Sequence, residues 1–308
     1  MEYKKRGGFL PQIKPLTQKK MGVKTVEAGE IAGKARDYGF GLIKDGVRVI
    51  DVAEAVECKI KDLGADVAFP CNICINEVAA HYTPCIGDDL TFDRGMLVKL
   101  DCGAHIDGFI GDTAVSKEIG GSKYEMLIQA SKEALKNVIS VVKDGITFSE
   151  IGMLIENTIS DFGFRTIRNL MSHSVEEYKL HGTSIPNASG IGYDGVLKEG
   201  DVVAIEPFAT DGAGFVVDRK NSNIYDYKFD KPIGNKKAMD LLSTVKDWKL
   251  PFAERWCGID KPKFPLIKLV RNGNLHMYPI FVERSGGMVA QTEHTLYVGK
   301  DDCQVTTL

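Results

Sequence analysis

Four acids stand in stretches that are otherwise apolar or alternate as strands do. Asp101 closes the run LVKLD, and Asp112 follows in FIGDTAVS. Glu206 closes VVAIE, and Glu293 sits inside MVAQTEHTLYV. A carboxylate on a buried strand is costly unless a positive partner satisfies its charge. Four of them brought together would repel one another strongly, and one shared positive object removes both difficulties. Hard carboxylate oxygens with one imidazole suit manganese, iron(II), cobalt or zinc better than copper. Two such ions ~3.5–4 Å apart would clamp a water, lower its pKa and stabilise an oxyanion. That is hydrolytic chemistry. Of the six histidines, His294 adjoins Glu293 but faces the other way by strand alternation. His105 shares the face of Asp101 and is read as structural, and His276, in NGNLHMYP, is read as a loop residue. His81, His173 and His181 are left as sources of the imidazole.

The elements that must carry these groups are legible locally. In LVKLDCGAHIDGFIGDTAVS, Asp107-Gly108 suits a type I′ turn between two strands. A two-residue loop pairs Ile106 with Phe109, and counting back pairs Gly103 with Asp112. Asp101 shares the face of Gly103, so Asp101 and Asp112 become diagonal neighbours roughly 7 Å apart at Cβ or less. Pro207 ends the strand that carries Glu206 or holds it at an edge. MVAQTEHTLYV reads as one strand with Glu293 at its centre. FPCNICINEVAAHYTP reads as loop and strand, and its lone CxxC, Cys71 and Cys74, reads as two reduced thiols. Seven scattered cysteines form no disulfide framework.

Apolar spacing predicts helices over 27–43, 51–63 and 122–143. Thr147 and Glu150 form a capping-box pattern ahead of a further helix in IGMLIENTISDFG. These helix pairs repeat: KDGVRVIDVAEAVECKIKDLG (44–64) aligns without gaps on KDGITFSEIGMLIENTISDFG (143–163). FDRGMLVKLD (92–101) likewise aligns on LKEGDVVAIE (197–206), which makes Asp101 and Glu206 equivalent. Asp112 and Glu293 follow as the second equivalent pair. The expected class is α+β, built from two similar halves. Residues 230–275 read as an inserted helical subdomain, with GNKKAMDLLSTVKDWKLPFAERW (234–256) helical and interrupted by Pro251.

Composition agrees with a folded catalytic domain. The 308 residues are 44% hydrophobic and 26% charged, a globular profile. No apolar run approaches the ~18 residues needed to cross a bilayer, and no signal peptide is legible, so the expected location is the cytoplasm. A net charge of -3 gives no overall attraction to nucleic acid. Near the N-terminus, however, Lys4, Lys5, Arg6, Lys14, Lys19, Lys20 and Lys24 face only Glu2. That segment reads as a solvated tail or as an arm touching RNA, including a ribosome.

These motifs together resemble the methionine aminopeptidases of type 2, the archaeal and eukaryotic kind. FPCNICINEVAAHYTP (69–84), LDCGAHIDGFIGDTAV (100–115), SHSVEEYKLHGTSIPN (172–187), AIEPFAT (204–210) and MVAQTEHTLYV carry the resemblance, which spans about residues 21 to 303. It implies a pita-bread (creatinase/aminopeptidase) fold, two pseudo-symmetric αβ halves around a curved antiparallel sheet, with the 230–275 insertion marking type 2. It implies two divalent metal ions (Co, Mn, Fe(II) or Zn). Asp101, Asp112, His173, Glu206 and Glu293 would be their ligands. It assigns His81 and His181 to substrate contact and catalysis, Glu206 to proton transfer, and Phe69 and Tyr278 to the methionine pocket. The implied reaction is hydrolysis of the Met1–Xaa2 bond of nascent polypeptides by a metal-bridging hydroxide, with a small second residue preferred. The implied enzyme is a monomer in the cytoplasm, with no membrane partner.

Residues 1–20 stand apart as a basic N-terminal extension to a catalytic domain of 21–308, with Met21-Gly22 a family-like start. Ser172 departs from the glycine usual before the ligand histidine, and Thr292 from a common aromatic residue before Glu293. Two rival readings are a related M24 peptidase of the prolidase or aminopeptidase P type and a non-catalytic pita-bread module that binds ribosomes or RNA.

Overall fold

The computed structural model describes residues 18–308. The basic residues Lys4, Lys5, Arg6 and Lys14, and the arm read from them, lie outside the described residues. The first half runs α1 (Gln18–Leu42), α2 (Val49–Asp62), β1 (Asp66–Ile75), β2 (Val78–Ala80), β3 (Leu97–Ile106) and β4 (Phe109–Glu118). The second begins in the same way, with α3 (Glu125–Ile139) and α4 (Phe148–Asp161). Strands β5 (Arg165–Thr166), β6 (Met171–Ser174), β7 (Ser184–Pro186), β8 (Val202–Ile205), β9 (Phe208–Thr210) and β10 (Val216–Tyr227) follow. Next come α5 (Lys236–Val245), β11 (Phe252–Ala253), a 3₁₀ turn at Glu254–Cys257 and α6 (Lys263–Asn272). The chain closes with β12 (Leu275–Glu283), β13 (Val289–Gln291), β14 (Glu293–Val298) and β15 (Cys303–Val305).

The main sheet has the order β1-β3-β4-β14-β8-β6-β7, with β15 on the outside of β14. That order is symmetric about the β4–β14 seam: β3 and β8 lie one strand out on either side, as the repeat of their sequences requires. All its pairings are antiparallel. Helices cover one face. Val52, Val56 and Ile60 of α2 pack with Val98 and Leu100 of β3, and Ile151, Ile155 and Ile159 of α4 pack in one core with Val203 and Ile205 of β8. Because side chains alternate, Asp101 and Glu206 fall on the opposite face. Gly29 of α1 crosses Gly111 of β4 so closely that a Cβ on Gly111 would overlap the Gly29 backbone.

Several local expectations hold. Thr147 and Glu150 make the reciprocal capping box. Asp107 (φ 50°) and Gly108 (φ 88°) form the turn, Ile106 pairs with Phe109, and Gly103 pairs with Asp112. Others need correction. MVAQTEHTLYV is two strands, not one, broken at Thr292: β13 pairs with β9 and β14 with β4 and β8. A break that changes partner leaves no trace in alternation. His276 is an exposed residue of β12, not of a loop. Cys71 and Cys74 are buried free thiols as expected, and both lie within strand β1. In 234–256 the helix stops at Val245, Phe252–Ala253 is strand, and the second helix comes only at Lys263. These elements close over their own cluster of Leu241, Leu242, Val245, Phe252, Leu266 and Leu269.

Candidate metal centre

Five neighbouring strands of the main sheet each deliver one candidate ligand. In sheet order these are Asp101 on β3, Asp112 on β4, Glu293 at the start of β14, Glu206 just past the end of β8, and His173 on β6. Adjacent strands lie about 4.8 Å apart, so residues far apart in sequence meet across one row. Ligand atoms of Asp112, His173 and Glu293 all lie within 4.8 Å of one another. His173 Nε2 is 3.7 Å from Glu206 Oε1 and 3.8 Å from Asp112 Oδ2. Those separations are too long for hydrogen bonds, and they suit donors that converge on one ion at ~2.0–2.2 Å each. The Nδ1 of His173 lies 3.3 Å from the Ser174 carbonyl. A proton held there leaves Nε2 with its lone pair toward the acids, the usual support of a metal-ligating imidazole.

The electrostatics make the same case. Burial pushes the Asp101 carboxyl up to about 7 even though a hydrogen bond from Gln291 opposes the shift. Burial, then the charge of Asp101, holds Asp112 and Glu206 well above the ordinary carboxylate range. Glu293 is raised in the same way by burial and then by Asp112 and Glu206. His173 is pushed down to about 3 by burial and by the neighbouring His181. Asp101 Oδ1 and Asp112 Oδ1 are buried with no hydrogen-bond partner among the described residues. Buried acceptors without donors are rare in folded proteins. Orphaned hard oxygens beside a neutral imidazole fit a divalent cation, which would displace the protons and satisfy both oxygens.

A cleft opens over this row. Its walls include Phe69, His81, Leu180, His181 and Tyr278. His81 follows strand β2 in a left-handed conformation (φ 66°), with Nδ1 3.1 Å from the Pro279 carbonyl on β12. A non-glycine residue held there is strained, as is common at working sites. Tyr278 meets His81 edge-on at 5.3 Å between ring centroids, and His181 meets His173 at 4.8 Å. The Phe69 ring lies over Gly103, where a Cβ would overlap it. The structure therefore brings together all nine residues singled out from the sequence. It leaves three other histidines aside. His105 accepts from the Gly108 amide at the hairpin turn, His294 bonds Thr307 behind the sheet, and His276 meets Tyr278 edge-on at 5.0 Å between ring centroids.

Sequence reasoning missed several contributors. Gln291 donates to Glu206 Oε2 at 3.3 Å and also serves Asp101, linking the two halves. Its position two residues before Glu293 on the same face was the available signal. Ser172, the departure noted above, accepts from the Glu206 amide at 3.0 Å and donates to Asn187 Oδ1 at 2.6 Å. Asn187 in turn donates to the Glu206 carbonyl at 3.0 Å. Thr292 points behind the sheet and bonds Ser131 of α3 at 2.8 Å. Asn72, Ile224 and Pro251 also line the cleft.

The fold and the cleft are those of a metallopeptidase. The description "Metallopeptidase family M24" matches residues 24–300. A methionine aminopeptidase of Pyrococcus horikoshii is 47% identical over 291 residues, 92% of this chain and 98% of that protein. Among solved structures, the methionine aminopeptidase of Thermotoga maritima superposes with a TM-score of 0.70 at 22% identity, covering 96% of this chain and 99% of the other. The prolidase of Pyrococcus furiosus superposes with a TM-score of 0.61 at 20% identity, covering 94% of this chain and 64% of its own. These two show the shared pita-bread fold. The chain belongs to metallopeptidase family M24, among its methionine aminopeptidases.

Proposed function

We propose that this chain removes the N-terminal methionine from nascent polypeptides as a type 2 methionine aminopeptidase holding two divalent ions. The observation that carries the reading is the row of four buried carboxyls and His173, with orphaned oxygens on Asp101 and Asp112, beneath a cleft with both apolar and imidazole walls. Asp101, Asp112, His173, Glu206 and Glu293 would hold the metals, with cobalt, manganese, iron(II) and zinc all compatible with the donors. Bound there, the metals would activate a water and polarise the scissile carbonyl.

The chain's own groups do the rest. Glu206, braced by Ser172 and Asn187 through its main chain, takes a proton from the attacking water and returns it to the leaving amine. His181, kept neutral by burial, donates to the substrate carbonyl as charge develops, and neutral His81, whose Nδ1 proton goes to the Pro279 carbonyl, accepts from the substrate amide through Nε2. Phe69 and Tyr278 flank the methionine side chain. Residues 230–275 are the type 2 insertion, and Pro251 within it walls the cleft. Among the described residues no helix is long and apolar enough to cross a membrane. We place the monomeric enzyme in the cytoplasm, where new chains emerge, with residues 1–20 as its basic extension and candidate ribosome contact.

The test uses metal-free protein re-supplied with one metal at a time, offered Met-Ala-Ser and an Xaa-Pro peptide. Methionine release with silence on Xaa-Pro is expected. The reverse pattern establishes the prolidase reading, and no turnover with any metal establishes the non-catalytic one. Glu206→Gln that keeps its metals should lose at least a hundredfold in kcat, the scale of a lost general base. Unchanged kcat removes Glu206 from the mechanism.

A further inference from the structure

We infer that Asn72 is a substrate-binding residue whose carboxamide oxygen accepts a hydrogen bond from the α-amino group of the residue being removed. This deepens the reading of the chain as a methionine aminopeptidase and rests on it. Asn72 is 4% exposed, lines the cleft, and its Oδ1 has no hydrogen-bond partner among the described residues. It is the cross-strand partner of Asp101, so the two side chains share a face. Strand β1 lies beyond β3, at the end of the acid row farthest from His173.

The strand is built to aim this side chain. Phe69 and Asn72 are three residues apart, so on an unbroken strand they would face opposite ways. Both line the cleft because the register slips between them: Phe69 pairs with Gly103 and Asn72 with Asp101, leaving two residues of β1 opposite one of β3. Such a bulge re-aims side chains beside active sites. It costs ladder hydrogen bonds, and these are replaced. The Cys71 amide donates to buried Glu57 at 2.9 Å, and the Cys71 carbonyl accepts from Thr83 at 2.8 Å. Glu57 is itself held by Trp256 at 2.8 Å and by Arg255.

An amino acid presents its side chain and its α-amine from one carbon. Phe69 offers an apolar ring and Asn72 an unmet acceptor from one short stretch of strand. Whether ammonium or metal-bound amine, the α-nitrogen keeps at least two N–H bonds, and an acceptor with no donor is their complement.

The experiment titrates metal-loaded protein with L-methionine and with 4-(methylthio)butanoate, the same molecule with hydrogen in place of the α-amine. Asn72→Ala should weaken methionine about tenfold and leave the desamino compound within about twofold, one buried hydrogen bond's worth of discrimination. Asn72→Leu, which fills the volume without an acceptor, should do the same and covers the case in which the alanine variant folds poorly. Equal weakening of both ligands, or an unchanged ratio, overturns the inference while wild-type release of methionine from Met-Ala-Ser still stands. Absence of that release overturns both.

Discussion

Stripping the metals should cost the protein more stability the higher the pH. The magnitude follows from Asp101. Its carboxyl has an ordinary value of 3.8 and is pushed up to about 7 in the folded, metal-free protein. Between those values the folded state holds a proton that the unfolded state has released. Stability falls with pH wherever the folded state binds more protons, so this contribution is complete below pH ~4 and lost as pH passes through ~7. At 1.36 kcal/mol per unit, Asp101 alone removes about 4 kcal/mol between pH ~4 and ~8. Asp112, Glu206 and Glu293 are shifted in the same direction, so the loss extends in the same sense. A bound cation replaces those protons and cancels their slope, whereas the buried histidines His81, His173 and His294, lowered by burial, add stability with rising pH in both forms and drop out of the difference. The assay is urea unfolding of chelated and metal-saturated protein at pH 5, 6, 7 and 8. The gap between the saturated and the chelated curve should widen by several kcal/mol from pH 5 to 8. Asp101→Asn removes one ionisable group, so its metal-free form should be the more stable of the two at pH 8. A gap between the two curves that stays constant or narrows from pH 5 to 8 refutes the reasoning.

Ser172→Ala strips a partner from the part-buried Glu206 amide and from the buried Asn187 Oδ1. It should cost about 2–4 kcal/mol in urea unfolding and lower kcat more than KM is raised, and a loss under about 0.5 kcal/mol would show that water replaces the hydroxyl. Arg255→Met leaves Glu57 buried without its cation, although burial already holds that carboxyl above the usual range. Breaking such a pair costs about 3–5 kcal/mol, and loss of the Glu57 support for the Cys71 bulge should also weaken methionine binding. A variant as stable as the wild type would mean that the pair contributes nothing net.

The hairpin carrying Asp101 and Asp112 was legible to the residue, because Asp107-Gly108 dictates a two-residue turn and the turn dictates register. The repeat was legible too, and with it the equivalence of Asp101 and Glu206 across the seam. Helix ends were less so: among the described residues α1 already includes 18–26, ahead of the apolar spacing that begins at 27. The segment around 252 was misread as helix because Phe252 and Ala253 are strand only by pairing with Tyr225 and Ile224 of β10. Thr292 hid a strand break for the same reason, since a change of partner is a tertiary event.

Residue types and short-range spacing thus determined that four acids lie on strands or at a strand end, that two of them share a face, and that two halves repeat. Sequence alone could not rank His81, His173 and His181 as ligands. The resemblance chose His173, and the fold gives the physical ground: β6 pairs with β8, which sets His173 opposite Ala204, two residues before Glu206. Insertion of β14 between β4 and β8 likewise joins Glu293 to the row. The bulge that turns Asn72 toward the cleft depends on Glu57 and Arg255, 14 and 198 residues apart from their partners Cys71 and Glu57. Alternation and turn chemistry act over a few residues, whereas strand order and bulges are set by burial and hydrogen bonding between segments that meet only in the folded chain.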